Sequence, residues 1–310
     1  MLLTVTLNPT LDKSYELPSF GLGDVVRVRK ITLSAGGKGI NVAKVAKLLG
    51  HEVMATGFLG GEVGKYIESD LDKKGIGARF VETKNPTRTC INLNDIENFR
   101  QTVVLEPGSF VDTFEEESFI KEYESLLKLA DAVVLAGTTP QGIDASLIYP
   151  LLINLAKESG KSVLLDTSGD ALRSAISAKP DFIKPNRHEL SYIYKRELTS
   201  REEILEVALS LQKNGIKNII VSMGEDGAVF VLESGSFYAH VPPIKSINTV
   251  GCGDALVAGF MCAYCKDIEI EEAIRQSIAV SAAAALSGEI GVFEKEDFDR
   301  LITQVKLISL

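Results

Sequence analysis

The sequence predicts an α/β fold with a doubly wound, mainly parallel sheet that carries a small antiparallel β-lid. Apolar strand-like runs alternate with helical patterns over most of the chain, and two segments show strand alternation with no helix between them. A length of 310 residues suits one domain of this class. We therefore expect residues 1–310 to form a single domain.

The predicted central strands are short runs of apolar and β-branched residues. They lie at 2–7, 131–137, 162–168, 181–186 and 218–224. Runs that are apolar at nearly every position are typical of strands covered on both faces, as in a parallel sheet between two helical layers.

The helical patterns between these strands have glycine at or next to their ends. The stretches LIYPLLINLAKESGK (147–161) and REEILEVALSLQKNG (201–215) show this clearly. Glycine accepts a left-handed φ at low cost, so it commonly follows the last turn of a helix.

The predicted lid consists of residues 13–34 and 86–106. Both segments alternate like strands and contain no helical pattern. Because such alternation is typical of sheets with one solvated face, we expect a small antiparallel sheet that projects from the main body.

Charge and hydropathy exclude several partners. The net charge of −9 provides no basic field for nucleic acid or for an anionic membrane. No segment has the pattern of a signal peptide or a membrane span, so a cytoplasmic location is expected. Cys262 and Cys265 lie in an apolar helical pattern, which favours helix thiols over a metal or redox pair.

A first glycine-rich segment, SAGGKGINVAKVAKLLG at 34–50, places Gly37 and Lys38 at the start of a helical pattern. Backbone amides and a lysine at a helix start favour an anion or a polyhydroxyl group. The segment is neither a Walker A loop nor a dinucleotide fingerprint. Taken alone, it fits close helix packing as well as ligand binding.

A second glycine-rich segment, NTVGCGDALVAGF at 248–260, has a carboxylate in the first helical turn. The amides of Gly251, Cys252 and Gly253 could surround a developing negative charge. Asp254 could then accept a proton from a substrate hydroxyl, an arrangement that suits phosphoryl transfer. The alternative is that Asp254 only caps the helix, a position where aspartate is common.

In order and separation, the two segments resemble the paired signatures of the PfkB, or ribokinase-like, carbohydrate kinase family. Three further stretches fall where the family has its other markers: TLNPTLD at 6–12, KPNRHE at 184–189 and SMGEDGA at 222–228. The five markers span almost the whole chain. The resemblance implies a ribokinase-like fold with a β-lid, and a kinase that uses ATP and Mg²⁺.

The resemblance also implies a role for each residue at a matching position. Asp254 is expected to be the general base, beside an anion hole made by Gly251, Cys252 and Gly253. The expected substrate-binding residues are Asp12, Gly37, Lys38, Asn41 and Arg88. Without the family, these would be turn, cap or surface residues.

The resemblance of the later markers implies, in the same way, which residues bind the nucleotide and its metal ion. The residues expected to bind ATP are Lys184, Asn186, Ser222, Gly224 and Gly227. Glu189 is expected to organise Mg²⁺, partly through water. A solvated helix start at Asn186 and an ordinary hairpin after Ser222 would explain the same residues.

Charge governs the expected substrate. Lys38 and Arg88 match the hexose-phosphate branch, in which a lysine of the main body and an arginine of the lid would converge on a sugar phosphate. We favour a 1-phosphofructokinase, which phosphorylates fructose 1-phosphate at O6, over a tagatose-6-phosphate kinase, which phosphorylates tagatose 6-phosphate at O1. A non-catalytic sensor would not need Asp254, and a nicotinamide oxidoreductase would need a glycine fingerprint after the first strand.

Two positions depart from the common family pattern. Cys252 stands where alanine is frequent, so activity is expected to be sensitive to alkylation. AGTTPQG at 136–142 replaces a Gly-Ser-Leu-Pro run and changes the polar groups near the sugar. Because the family often pairs its lids, a homodimer through the β-lid is the corresponding expectation for assembly.

Overall fold

The computed structural model describes residues 1–21, 23–98 and 100–310. Positions 22 and 99, which belong to the two predicted lid segments, lie outside the described residues.

Strands and helices alternate over most of the chain. The strands are β1 Leu2–Thr6, β2 Thr10–Leu17, β3 Lys30–Gly36, β4 Val53–Leu59, β5 Gly77–Ala78, β6 Val81–Glu82, β7 Arg88–Asp95, β8 Arg100–Leu105, β9 Ala132–Ala136, β10 Ser162–Asp166, β11 Phe182–Ile183, β12 Asn218–Ser222, β13 Ala228–Leu232, β14 Gly235–His240 and β15 Lys306–Ser309. The helices are α1 Lys38–Leu48, α2 Gly61–Lys73, α3 Thr113–Leu127, α4 Ala145–Glu158, α5 Gly169–Ile176, α6 Arg187–Tyr194, α7 Arg201–Lys213, α8 Cys252–Tyr264, α9 Ile270–Leu286 and α10 Lys295–Ile302.

The main sheet is mostly parallel, as predicted. Its strand order is β15-β14-β13-β12-β11-β10-β9-β1-β4-β5, with β6 also paired to β4. The pairs from β12 across to β5 are parallel, whereas β13, β14 and β15 add antiparallel strands at one edge. The five strands predicted from apolar runs all belong to this sheet.

Helices cover both faces of the main sheet, and the sheet divides the core into two layers. Val133 and Val134 are neighbours on β9 and point into opposite layers, and both are fully buried. Burying a valine side chain contributes about 1.5–3 kcal/mol. Near-continuous apolar strands are stable only when both faces are covered in this way.

Local sequence signals set the helix limits. α3, α6 and α7 begin with capping boxes, in which the N-cap side chain and the third helical residue exchange hydrogen bonds with each other's backbone. α4 and α7 are each followed within two residues by a glycine with positive φ, Gly160 at 69° and Gly215 at 102°. Both ends agree with the sequence prediction.

The lid is a separate four-stranded sheet in the order β3-β2-β7-β8. The outer pairs β2–β3 and β7–β8 are antiparallel, as expected. The central pair β2–β7 is parallel, with Thr10 opposite Arg88. This pairing was not predicted; it follows because both strands leave the main body in the same direction.

Two further expectations concern the apolar helices. Cys262 is buried within α8 and Cys265 is its C-cap residue, as expected for helix thiols. Within the described residues, no helix is both long enough and apolar enough to cross a membrane.

Candidate active site

The candidate site lies at the carboxyl ends of the central strands, where the strand order reverses. β1 stands between β4 and β9, and the chain builds outward from it in both directions. Asn8, two residues after β1, donates from Nδ2 to Thr138 Oγ1, two residues after β9, at 3.2 Å. In open α/β sheets such a switch point leaves a crevice for a ligand.

Asp254 lies in the first turn of α8 but does not cap the helix. The N-cap is Gly251, whose φ of 83° is left-handed, and Asp254 is the third helical residue. A β-carbon on Gly251 would also press against the Ile290 side chain. Glycine is therefore required where the chain enters α8, and the capping alternative for Asp254 is wrong.

The Asp254 carboxylate is buried, and an amide holds one of its oxygens. Asn41 Nδ2, on α1, donates to Asp254 Oδ2 at 2.8 Å. Burial raises the pKa of Asp254 to about 7, and the nearby Asp166 carboxylate adds to the rise. Lys38 opposes this rise more strongly than Asn41 or Lys184. A carboxylate that titrates near neutral pH is well suited to general-base catalysis.

We expect kcat to rise with pH through about 7, because only ionised Asp254 can accept a proton. The measurement is kcat at saturating substrates between about pH 5 and about pH 9, at constant ionic strength. A profile without an ascending limb in this range would contradict the assignment of Asp254 as the base.

Asp166, which the sequence analysis missed, joins two lysines. It is the last residue of β10 and is 1% exposed. Lys38 Nζ is 2.9 Å from Asp166 Oδ1, and Lys184 Nζ is 3.3 Å from Oδ2. Burial alone would raise the pKa of Asp166, but the ammonium groups of Lys184 and Lys38 outweigh burial and hold the pKa below its usual value. The available sequence signal was an aspartate at the carboxyl end of an apolar strand.

Lys184 also brings positive charge to the second glycine segment. A β-carbon on Gly253 would lie 3.4 Å from Lys184 Nζ, so the ammonium group stands directly beside the turn. Helix N-terminal amides and an ammonium group both favour negative charge. The turn at Gly251, Cys252 and Gly253 therefore suits a phosphoryl group in transfer.

The Cys252 thiol is less reactive than its place in this turn suggests. Burial raises the pKa of Cys252 to about 11, and the charge of Asp254 contributes to the rise. The thiolate is the form that reacts with alkylating reagents, and it is scarce at neutral pH when the pKa is this high. The sensitivity expected from the sequence is therefore revised.

We expect iodoacetamide at about pH 7 to inactivate the protein slowly, at a rate no greater than that of an ordinary buried thiol. Residual activity over time checks this, with Cys252→Ala as the control. A rapid loss of activity that Cys252→Ala abolishes would contradict the prediction.

Asp12 meets the first glycine segment at the base of the lid. Its carboxylate fills the space in which a side chain on Gly36 would stand. The next residue, Gly37, has a φ of 107° and is the N-cap of α1. Burial raises the pKa of Asp12 to about 6, while the charges of Lys44 and Arg88 oppose the rise. Asp12 is therefore a buried carboxylate beside the start of α1.

Lys38 and Arg88, which the sequence analysis predicted to converge on a sugar phosphate, each contact another partner in the structure. Arg88 Nη2 donates to Asn8 O and Nη1 to Glu106 O, both at 3.1 Å. Lys38 donates to Asp166. Backbone carbonyls beside a guanidinium satisfy its donors, so Arg88 ties lid strand β7 to the loop after β1. Lys38 belongs instead to the end of the site that contains Asp254.

Asn186 and Glu189 form the capping box of α6. Glu189 N donates to Asn186 Oδ1 at 2.9 Å, and Asn186 N donates to Glu189 Oε2 at 2.8 Å. The helix-start alternative therefore describes their local structure. Their predicted contacts with ATP and Mg²⁺ stay predictions.

The remaining predicted ATP-binding residues form a hairpin turn next to α6. Ser222 ends β12 and bridges to Asn186. Gly224 and Gly227 have φ values of 64° and 95°, and a β-carbon on Gly227 would collide with Ala239 O. The local structure is thus the hairpin that the alternative explanation predicted. The turn of this hairpin lies beside the start of α6.

Comparison with known proteins agrees with the geometry. A sequence family described as pfkB family carbohydrate kinase matches residues 6–294. The chain belongs to this family. The resemblance drawn from the five markers is therefore confirmed, and so is the expected ribokinase-like fold.

Named relatives narrow the place of the chain within the pfkB family. A tagatose-6-phosphate kinase of Staphylococcus epidermidis is 36% identical over 314 aligned positions, covering 100% of both chains. Phosphofructokinase-2 of Escherichia coli, in complex with substrates and products, has a TM-score of 0.91 and 28% identity over 98% of each chain. A Thermotoga maritima structure described as a possible 1-phosphofructokinase has a TM-score of 0.88 and 26% identity, covering 100% of this chain and 99% of the other.

These relatives confirm the predicted class, a sugar-phosphate kinase of the hexose-phosphate branch. Members of the pfkB family use ATP as co-substrate. In this pfkB kinase, three residues meet at the carboxyl edge of the main sheet. Asn41 donates a hydrogen bond to Asp254, and the positive charge of Lys38 acts on the Asp254 carboxylate. Asp166 and Lys184 complete that cluster.

Proposed function

We propose that the protein transfers the γ-phosphoryl group of ATP to a hydroxyl group of a ketohexose phosphate and so produces a bisphosphate. The observation that supports this most is the buried Asp254 carboxylate, whose pKa is raised to about 7 at the N-terminus of α8. A base in this place, beside amides and two lysines, has the parts that phosphoryl transfer needs.

Each of these residues has one role in the proposed reaction. Asp254 takes the proton of the acceptor hydroxyl while Asn41 holds the carboxylate in place. The hydroxyl oxygen bonds to the γ-phosphorus as the bond to the β-phosphate oxygen breaks, and ADP leaves. The amides at Gly251, Cys252 and Gly253, with Lys184, stabilise the negative charge of the transferred group.

The nucleotide side fits a magnesium ion. Asp166 Oδ2 is buried, and among the described residues it pairs only with the Lys184 ammonium group, 3.3 Å away, which leaves it able to accept a further hydrogen bond. The waters that a hard ion retains would satisfy such an oxygen. Glu189 and Asp166 would hold the ion mainly through water. When bound, Mg²⁺ neutralises charge on the phosphate oxygens.

Of the two candidate sugars, we propose tagatose 6-phosphate first, which reverses the order favoured from the sequence. The named tagatose-6-phosphate kinase shares 36% identity over the whole chain, whereas the possible 1-phosphofructokinase shares 26%. Fructose 1-phosphate is the second candidate. Both give a ketohexose bisphosphate, so one pocket could accept either sugar from opposite ends.

The test is MgATP-dependent ADP release with purified protein and four sugars: tagatose 6-phosphate, fructose 1-phosphate, fructose 6-phosphate and free fructose. We expect the highest kcat/KM with tagatose 6-phosphate. Best turnover of free fructose would refute the sugar-phosphate assignment. Binding of a sugar phosphate without any ADP release would favour the sensor alternative.

Arg88 is proposed to bind the phosphate that the sugar brings, exchanging its backbone carbonyls for phosphate oxygens. We expect Arg88→Met to raise the KM for the sugar phosphate at least about tenfold while the KM for ATP changes by less than about threefold. Arg100→Met, which removes an exposed arginine of lid strand β8, is the matched control. An equal effect of the two substitutions would contradict this role.

We propose that two copies pair through their lids. The lid strands expose a set of apolar side chains: Ile31, Leu33, Val103, Val104 and Leu105. Exposed apolar side chains on a small sheet favour burial against a partner surface. Light scattering on the purified protein checks this, and a monomer at concentrations of about 10 µM would contradict it.

A further inference from the structure

Lys44 is a buried lysine that the proposed reaction does not use. It lies on α1, one turn after Asn41, and is 3% exposed. Its Nζ donates to Ser34 Oγ at 2.7 Å and to Ala35 O. Both acceptors belong to lid strand β3, at the start of the first glycine-rich segment. Burying an ammonium group is costly unless nearby groups compensate, so this contact needs an explanation.

Charged groups face Lys44 from three other elements. Asp12 lies on β2, Asp70 lies on α2 with Lys74 as the C-cap of that helix, and Glu289 lies in the loop after α9. Burial lowers the pKa of Lys44 to about 8, with Asp70, Asp12 and Glu289 opposing the fall and Lys74 adding to it. The ammonium group is therefore mostly protonated at neutral pH and loses its proton around pH 8.

The same ammonium group connects the lid to the candidate sugar site. Ser34, which accepts its hydrogen bond, pairs with Asp12 across β2 and β3. The positive charge of Lys44 is the larger of the two that oppose the raised pKa of Asp12. A single side chain thus fixes the strand opposite Asp12 and favours the ionised form of its carboxylate.

Lys44 is also held from its other side. Gly291 packs on the Lys44 side chain, where a β-carbon would crowd its Cδ, and the preceding Ile290 packs on Gly251 of the anion hole. Lys44 is therefore enclosed between the lid strand and the loop that supports α8.

We propose that Lys44 is a positioning residue for the sugar substrate: from α1 it fixes the end of lid strand β3 opposite Asp12 and so holds the Asp12 carboxylate in place to receive a sugar hydroxyl. This inference rests on the proposed function and on the expected role of Asp12 in binding a sugar hydroxyl. It assigns Lys44 no contact with the reacting atoms.

The test compares the wild type with Lys44→Met, Lys44→Arg and the control Lys47→Met, which removes an exposed lysine of the same helix. Calorimetric titration measures Kd for the best-turned-over ketose phosphate and for MgATP across pH. We expect Lys44→Met to weaken sugar binding at least about tenfold and MgATP binding by less than about twofold. In Lys44→Met, the loss of sugar affinity on the acid side (the acid limb of the pH profile) should move to higher pH. The reason is that Asp12 without the Lys44 charge holds its proton at higher pH. Lys44→Arg should keep that limb at its wild-type position.

A second measurement uses the wild type alone and so does not depend on the variants folding. Sugar affinity should fall above about pH 8, as Lys44 loses its proton, while MgATP affinity stays constant. Three results would each overturn the inference. Lys44→Met could bind the sugar as tightly as the wild type, or bind it more weakly with no shift in the pH at which affinity falls on the acid side. The sugar affinity of the wild type could also stay constant above about pH 8. If the wild type binds none of the four sugars, the proposed function fails and this inference fails with it. Normal wild-type turnover separates the two cases.

Discussion

Replacing Asp254 by asparagine is expected to lower kcat by at least about a hundredfold while sugar-phosphate and MgATP affinities change little. Asparagine keeps the shape of the side chain and can still contact Asn41, but it cannot accept the hydroxyl proton. Steady-state kinetics with direct binding titrations check the prediction. Near-normal turnover would remove Asp254 from the role of base.

Stability provides an independent readout for the same variant. Folding raises the pKa of Asp254 from 3.8 to about 7, so between these pH values the native state binds a proton that the unfolded chain has released. The wild type should therefore lose stability as the pH rises through this window. Asp254→Asn should not show this loss and should unfold at a higher temperature than the wild type at pH 8.

A matched control separates local charge from a general effect of removing a carboxylate. Asp72→Asn changes an exposed aspartate on α2, away from the carboxyl edge. It should leave kcat and the unfolding temperature close to the wild-type values, since surface substitutions usually have small effects. If Asp72→Asn changed the pH dependence of stability as Asp254→Asn does, the change could not be assigned to ionisation of Asp254.

Strands, helix ends and the glycine segments could be predicted because their signals are local. β1, β9, β10 and β12 are short runs of mainly apolar and β-branched residues, and the turn at Gly251 can be predicted from four adjacent residues. Such features depend on backbone propensity and on burial of both strand faces, and neighbouring residues report both.

The charge network could not be predicted in this way, because its members are distant in sequence. Asp166 meets Lys38 across 128 positions, and only the sheet order brings β10 beside the start of α1. Lys44 looks like a solvent-facing lysine in a helical pattern, yet the lid strand covers it. The parallel pairing of β2 with β7 likewise depends on where the lid leaves the main body.

Replacing Asp166 by asparagine should be the most destabilising change at the site, by about 3–5 kcal/mol. The substitution keeps the volume of the side chain but removes the negative charge shared by Lys38 and Lys184. Lys38 is partly exposed and can be solvated, whereas the Lys184 side chain is only 5% exposed. An uncompensated buried ammonium group at Lys184 would therefore account for most of the loss. Denaturant unfolding at pH 7 measures it.

Asp299→Asn is the matched control, because Asp299 on α10 is exposed and pairs with the exposed Lys295 at 3.1 Å. A surface pair of this kind should contribute less than about 1 kcal/mol.

The double variant Asp166→Asn/Lys184→Met distinguishes an unpaired charge from a damaged fold. If the cost of Asp166→Asn comes from the buried ammonium group, removing that group as well should restore part of the lost stability, so the two changes will not be additive. Activity should not return, because the anion hole loses the cation beside Gly253. A double variant less stable than Asp166→Asn would show instead that Lys184 stabilises the site through contacts other than its charge. Recovery of stability without activity would mean that the site retains a buried cation for phosphoryl transfer and requires Asp166 to compensate its charge.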